Sequence, residues 1–193
     1  MEMKKFILDT SIFTNPDVYI QFGSTVDEAA AHFFQKALVL GNCSFFMPPS
    51  VYQELEHFVS QGLMGRLFTV VEQKSPKKHE LKVPAILLYE MIADIRDRID
   101  KGLRVAEEII RSTDQENMED NIAQLRKKYR RALREGIVDS IEDLEIILLA
   151  LEMDGTIVSA DEGIIKLAQQ LGVRFFESRK FGEVLDLLIK SSN

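Results

Sequence analysis

Asp9, Asp139, Asp143 and Asp161 lie far apart in the chain, each beside an apolar run, and together they have the donor chemistry of a divalent-cation site. Phe6-Ile7-Leu8-Asp9-Thr10-Ser11 and Thr156-Ile157-Val158-Ser159-Ala160-Asp161 read as buried parallel strands that end in a carboxylate. Asp139 and Asp143 are spaced one turn apart on a helix. Ligands of an open α/β sheet bind outside the carboxyl ends of its strands, so these side chains can converge. Carboxylates gathered without Lys or Arg repel one another and call for metal, which points to a metal-dependent phosphodiesterase.

Each acid also has an ordinary reading. Asp139, with Glu142 three residues on, has the setting of a helix N-cap, and Asp161 with Glu162 has the same setting before Gly163. Asp143 shares a stripe with Ile147 and Leu151, where a carboxylate needs a partner. Glu54 reads as a solvated helix residue and is kept outside the candidate set, as is Glu162. Thr10, Ser11 and Ser159 supply hydroxyls that can orient the acids. Other chemistries lack their residues: His32, His57 and His79 have no zinc spacing, and there is no nucleophile elbow, P-loop or dinucleotide fingerprint.

The elements that must position these acids alternate between strand and helix, which predicts a parallel sheet with helices on its faces. Strands are expected at the start, over 42–47, over 67–71, over 156–159 and at 173–176. Helices are expected over 24–40, from Pro49 through Val59, over 139–153, over 163–171 and over 181–190. Residues 84–135 break the alternation, being helical throughout, with a break at Ser112-Thr113-Asp114. This reads as a helical hairpin inserted into a sheet domain made of 1–83 and 136–193.

At 193 residues the chain can bury one substantial core. The single Cys43 excludes an internal disulfide framework and fits a reducing compartment, so a cytoplasmic location is expected. No apolar run is long enough for a membrane, and the start Met1-Glu2-Met3-Lys4-Lys5 does not look like a signal peptide. The net charge of −7 argues against nucleic acid on average, but Arg126, Lys127, Lys128, Arg130, Arg131 and Arg134 form a local basic stretch suited to RNA phosphates. Leu87, Leu88, Met91, Ile92, Ile95, Ile99 and Leu103 form an apolar stripe that Ile109, Ile110, Ile122 and Leu125 must cover if no second subunit does.

Asp9-Thr10-Ser11, Glu54, Asp143 and Ser159-Ala160-Asp161 together resemble the pattern of PIN-domain nucleases. The run from Phe6 to Pro16, the helical insertion and the run from Gly136 to Asp143 are similar to the RNA-free, protein-only ribonuclease P family of bacteria and archaea, formerly labelled RNA ligase partner proteins. The resemblance covers nearly the whole chain. It implies a PIN-like α/β fold with a protruding helical-hairpin insertion, and cleavage of precursor tRNA at the 5′ end of the mature tRNA. It also implies one or two Mg²⁺ or Mn²⁺ ions held by Asp9, Asp139, Asp143 and Asp161, and self-assembly through the inserted helices. A general PIN endoribonuclease acting on another RNA, or a non-catalytic RNA-binding accessory protein, are the competing readings.

Overall fold

The structure, a computed structural model, describes residues 3–112, 118–134 and 140–192. It contains two compact units, one of Met1–Val83 with Ser140–Asn193 and one of Pro84–Asp139. Among the described residues no helix is long and apolar enough to cross a membrane.

The first unit begins with strand β1 (Lys4–Leu8), whose last three residues are buried. Two short helices follow, α1 (Ser11–Thr14) and α2 (Pro16–Tyr19), where the turn-forming Asn15 caps α2 by accepting the Asp17 amide. Helix α3 (Val26–Val39) starts at Thr25, whose hydroxyl accepts the Glu28 amide, and leads to β2 (Cys43–Met47). The expected helix from Pro49 to Val59 is shorter: α4 spans Pro49–Leu55, and a separate helix α5 spans Gln61–Leu67. The strand expected over 67–71 instead becomes β3 (Val71–Gln73). Met64 and Leu67 are both buried from α5, and their i, i+3 spacing places them on one helix face, so the run belongs to the helix until Phe68.

After the second unit the chain continues in α8 (Ile141–Met153), β4 (Thr156–Ser159), α9 (Glu162–Leu171) and β5 (Phe175–Glu177). A 3₁₀ turn over Ser178–Lys180 then leads into α10 (Phe181–Ser192). The five strands are all parallel, in the order β3-β2-β1-β4-β5. Phe6, Phe33, Phe45 and Phe181 build an aromatic core between the sheet and the packed pair α3 and α10, with Phe33 edge-on to Phe45 at 5.2 Å between centroids. Ile7 points to the opposite face, and α8 packs against β1 and β4 with Ile146, Ile147, Leu149 and Ala150 buried. A side chain at Gly155 would meet Ile7 Cδ1 at 2.9 Å, so this position is kept small by the approach of β1.

The topology fixes where a ligand can sit. From β1 the sheet runs one way through β2 to β3 and the other way through β4 to β5. The carboxyl ends of β1 and β4 therefore flank the topological switch point, the place where α/β sheets open a crevice.

The second unit holds two helices, α6 (Ile86–Ser112) and α7 (Met118–Arg134), packed against each other. Gly102, which would otherwise weaken α6, lets α7 approach: a Cβ there would fall 2.6 Å from the Tyr129 ring. Tyr129 is thus a packing residue, although it is still 40% exposed. Leu88, Ile92, Ile95, Ile99 and Leu103 stay exposed along α6, and Ile110, at 73% exposure, and Ile122, at 43%, are exposed as well rather than covering them.

Candidate active site

Asp9 follows β1 directly, and its amide donates to the Val158 carbonyl at 3.1 Å, so the strand pairing carries on to the residue itself. The carboxylate is buried, 7% exposed, at the edge of the sheet. Two hydroxyls donate to the same oxygen, Oδ2: Ser11 Oγ at 2.5 Å and Ser159 Oγ at 2.6 Å. Each hydroxyl is itself aimed by a backbone amide, Ala160 N–H to Ser11 Oγ and Asp161 N–H to Ser159 Oγ, both at 2.9 Å. Two short relays from the β4–α9 turn thus fix one edge of the Asp9 carboxylate. The other oxygen, Oδ1, has a long 3.5 Å contact from Thr10 Oγ1.

Asp161 lies past the end of β4 as the N-cap of α9, its Oδ1 accepting the Ile164 amide at 2.9 Å. It is exposed at the same edge as Asp9, and its charge acts on Asp9. Both readings of Asp161 therefore hold: one oxygen caps a helix while the residue contributes negative charge to the site. Asp143 lies in the first turn of α8, whose cap is Ser140, with Ser140 Oγ accepting the Asp143 amide at 3.0 Å. The helix starts at Ile141, later than the expected Asp139, and the capping role read for Asp139 belongs to Ser140. Asp139 itself lies outside the described residues.

Glu54, which the sequence reading kept outside the candidate set, stands close to Asp9 in the fold. It is exposed on α4, and Thr10 Oγ1 stands 3.5 Å from both Glu54 Oε2 and Asp9 Oδ1, linking residues 44 apart in the chain. Glu142, in the first turn of α8, adds charge from the other side and acts on Glu54. Apart from its place in the PIN-like pattern, no local sequence signal separates Glu54 from other surface acids; what marks it is proximity through the fold.

The electrostatics are those of an acidic site. Burial pushes the Asp9 carboxyl above its ordinary range, the hydrogen bonds from Ser11 and Ser159 pull it back in part, and the charge of Asp161 pushes it up again. Glu54 is also raised, first by lost solvation and then by the charge of Asp9. Among the described residues no Lys or Arg is recorded in an ion pair with Asp9, Glu54 or Asp161. An all-oxygen set of this kind suits a hard divalent cation such as Mg²⁺ or Mn²⁺. Among the described residues no three Asp, Glu, His or Cys side chains are grouped as a ready metal site.

The profile of the PINc domain ribonucleases matches residues 5–190. Over nearly the full length of both chains, 96% of each, the protein is 52% identical across 190 residues to the RNA-free ribonuclease P of Thermococcus kodakarensis. This chain belongs to the PIN-domain ribonucleases, in the RNA-free ribonuclease P family. It is similar as well to the RNA-free ribonuclease P of Pyrococcus furiosus, at 48% identity over 191 residues covering 97% of this chain and 96% of that one. The similarity extends to bacteria, with 41% identity over 183 residues to the RNA-free ribonuclease P of Thermodesulfovibrio yellowstonii, covering 94% and 93% of the two chains. Asp9-Thr10 joins β1 to α1, which opens at Ser11, and Ser159-Ala160-Asp161 leads from the end of β4 to the cap of α9.

Of the basic stretch, Arg126, Lys127, Lys128, Arg130 and Arg131 are exposed on α7. Lys128 is paired with Glu108 of α6 at 2.8 Å, which makes it partly a hairpin contact. The Arg134 side chain lies outside the described residues.

Proposed function

We propose that this protein is an RNA-free ribonuclease P, an endoribonuclease that removes the 5′ leader of precursor tRNA and leaves a 5′-phosphate on the mature end. The observation that carries this reading is the full-length similarity at about half identity to proteins of that name, shared by the PIN unit and the inserted helices. An Asp9 carboxylate oriented by two hydroxyls among other acids supplies the matching chemistry.

In this reading Asp9, Asp139, Asp143 and Asp161 hold Mg²⁺ or Mn²⁺ directly or through water, with Glu54 as an additional acid facing them. One or two such ions, held there, would supply a lowered pKa for the attacking water and stabilisation of charge on the leaving 3′ oxygen. Ser11 and Ser159 hold Asp9 Oδ2, keeping Oδ1 turned to the side of Thr10 and Glu54. The backbone amides of Ala160 and Asp161 fix those hydroxyls, so the carboxylate needs little reorganisation when a cation arrives. Incubation with labelled precursor tRNA tests the assignment, one cut at the leader junction being the expected product.

RNA contacts are assigned to Arg126, Lys127, Lys128, Arg130, Arg131 and Arg134. Replacing Arg130 and Arg131 with Gln is expected to weaken precursor binding and to lower the slope of log K against log salt by about 1–2, read by filter binding across a salt series. An unchanged affinity and slope would return the stretch to a solvated helix face.

Self-association is assigned to residues 84–135. Leu88, Ile92, Ile95, Ile99 and Leu103 keep more than half of their surface exposed, which in water favours a second copy of the same stripe. Light scattering at roughly micromolar concentration should show dimers or larger assemblies, and Ile92→Glu with Ile99→Glu should shift them to monomer. A wild-type chain that scatters as a monomer would contradict this.

A further inference from the structure

One buried carboxylate takes no part in the chemistry above. Glu145 of α8 is 8% exposed, and besides Asp9 it is the one buried acid among the described residues. Its Oε2 accepts the Ser50 hydroxyl of α4 at 2.5 Å, and its Oε1 is paired with Lys78 from the segment after β3. Each of its two oxygens thus has a partner, Ser50 on one and Lys78 on the other, so the carboxylate is fully engaged by its neighbours.

The partners sit in register with the site. On α4, Ser50 and Glu54 are i, i+4 neighbours; on α8, Glu142 and Glu145 are i, i+3 neighbours. Glu145 meets Ser50, so a direct contact joins α4, which carries Glu54, to α8, which carries Asp143. The Ser50–Glu145–Lys78 contact thereby holds these two helices to each other.

We propose that Glu145, held by Ser50 and Lys78, is a positioning residue that keeps the acidic edges of α4 and α8 together in the metal-free protein, so that the site is ready for a divalent cation. Lys78 is half exposed, so the ion pair contributes little net stability, and its value lies in fixing one arrangement. The lysine also ties the segment beyond β3 to α8, where the Lys77 amide donates to Glu152 Oε2 at 2.7 Å. α8 is thus secured on the β3 side at two points, about two turns apart.

This inference rests on the metal-dependent reading of the site, and its test uses the full-length protein and Mn²⁺ alone. Glu145→Gln keeps the volume and an acceptor for Ser50 but loses the charge that holds Lys78; Ser50→Ala removes one hydroxyl from a partly exposed helix face. Each is expected to weaken Mn²⁺ binding, measured by titration calorimetry without RNA, by about tenfold, the usual scale for groups that orient ligands. The Mg²⁺ concentration for half-maximal cleavage should rise in parallel, while kcat recovers at saturating Mg²⁺ and RNA affinity in EDTA stays at the wild-type value. Variants that melt earlier yet bind Mn²⁺ as the wild type does would overturn the proposal, showing a contact that serves stability alone. Should Glu145→Gln fail to fold, Ser50→Ala decides by the same criterion. A wild-type protein that bound no Mn²⁺ would overturn the metal-dependent reading and this inference with it, whereas equal binding by wild type and variants overturns this inference only.

Discussion

Replacing Asp9 with Asn is expected to abolish RNA cleavage while making the metal-free protein more stable. The loss should reach roughly a thousandfold or more, since the ion's contribution to such a displacement is several kcal/mol, about 1.4 kcal/mol being worth a factor of ten. The gain follows from linkage. Burial raises the Asp9 carboxyl above its ordinary range, so the folded chain holds that proton more tightly than the unfolded chain does. Its contribution to stability is then present in acid and is lost as pH rises through the folded value. In the wild type the Asp9 carboxyl is kept from water beside Asp161 and Glu54, which makes its ionisation costly, and the Asp9→Asn substitution removes that ionisation while still accepting from Ser11 and Ser159. In EDTA, the Asp9→Asn variant should melt above wild type at pH 7 and the difference should shrink toward acid pH. Mg²⁺ should raise the melting temperature of wild type and leave the variant unmoved. Cleavage by the variant at the wild-type rate, or a lower melting temperature in EDTA, would contradict the role given to Asp9.

Much of this site was legible because two of its acids end apolar runs. Phe6-Ile7-Leu8 and Ile157-Val158 mark central buried strands, and in a parallel sheet the residue that follows such a run stands at the edge where ligands bind. The sheet order places those two strands side by side, and Asp9 and Ser159, next after the paired Leu8 and Val158, meet through a hydrogen bond. What escaped the sequence are the contacts made through space. Glu54 reads as a surface acid because nothing in its helix shows that Thr10, 44 residues earlier, bridges it to Asp9. Glu145 is one of several acids in a short stretch, and only its burial against Ser50 and Lys78 sets it apart. Asp139 had a plausible capping pattern with Glu142, yet Ser140 and Asp143 have the same spacing one residue later, and the structure uses that pair. The misplaced third strand has a similar origin: Leu67-Phe68-Thr69-Val70-Val71 is apolar and β-branched, while the burial of Met64 and Leu67 on one helix face decided in favour of helix.

Precursor tRNA is expected to be cut once, at the junction of leader and mature sequence, and at least a hundredfold faster than an unstructured RNA of the same length, a discrimination of about 2.8 kcal/mol in the transition state. In the proposed reading a cation held by the acids at the ends of β1 and β4 would act on any phosphodiester that reached it, so the choice of bond has to come from contacts elsewhere. Folded RNA is recognised largely by shape and backbone, and a tRNA presents its stacked acceptor and T arms as a rigid body of fixed length. The basic stretch of α7 is suited to grip such a body by its phosphates, and the proposed self-association would present it on more than one subunit. Changes in leader sequence should therefore be tolerated, and disruption of the acceptor–T-arm stack should not.

The most direct measurement is a single-turnover reaction of the purified protein with uniformly labelled precursor tRNA in Mg²⁺, the 5′ end of the product being mapped to the nucleotide. The account predicts one mature product that begins with a 5′-phosphate at the first mature nucleotide, absent in EDTA and absent with Asp9→Asn. Equal cutting of the precursor and of single-stranded RNA at many positions would contradict it, leaving a PIN endoribonuclease of a different specificity.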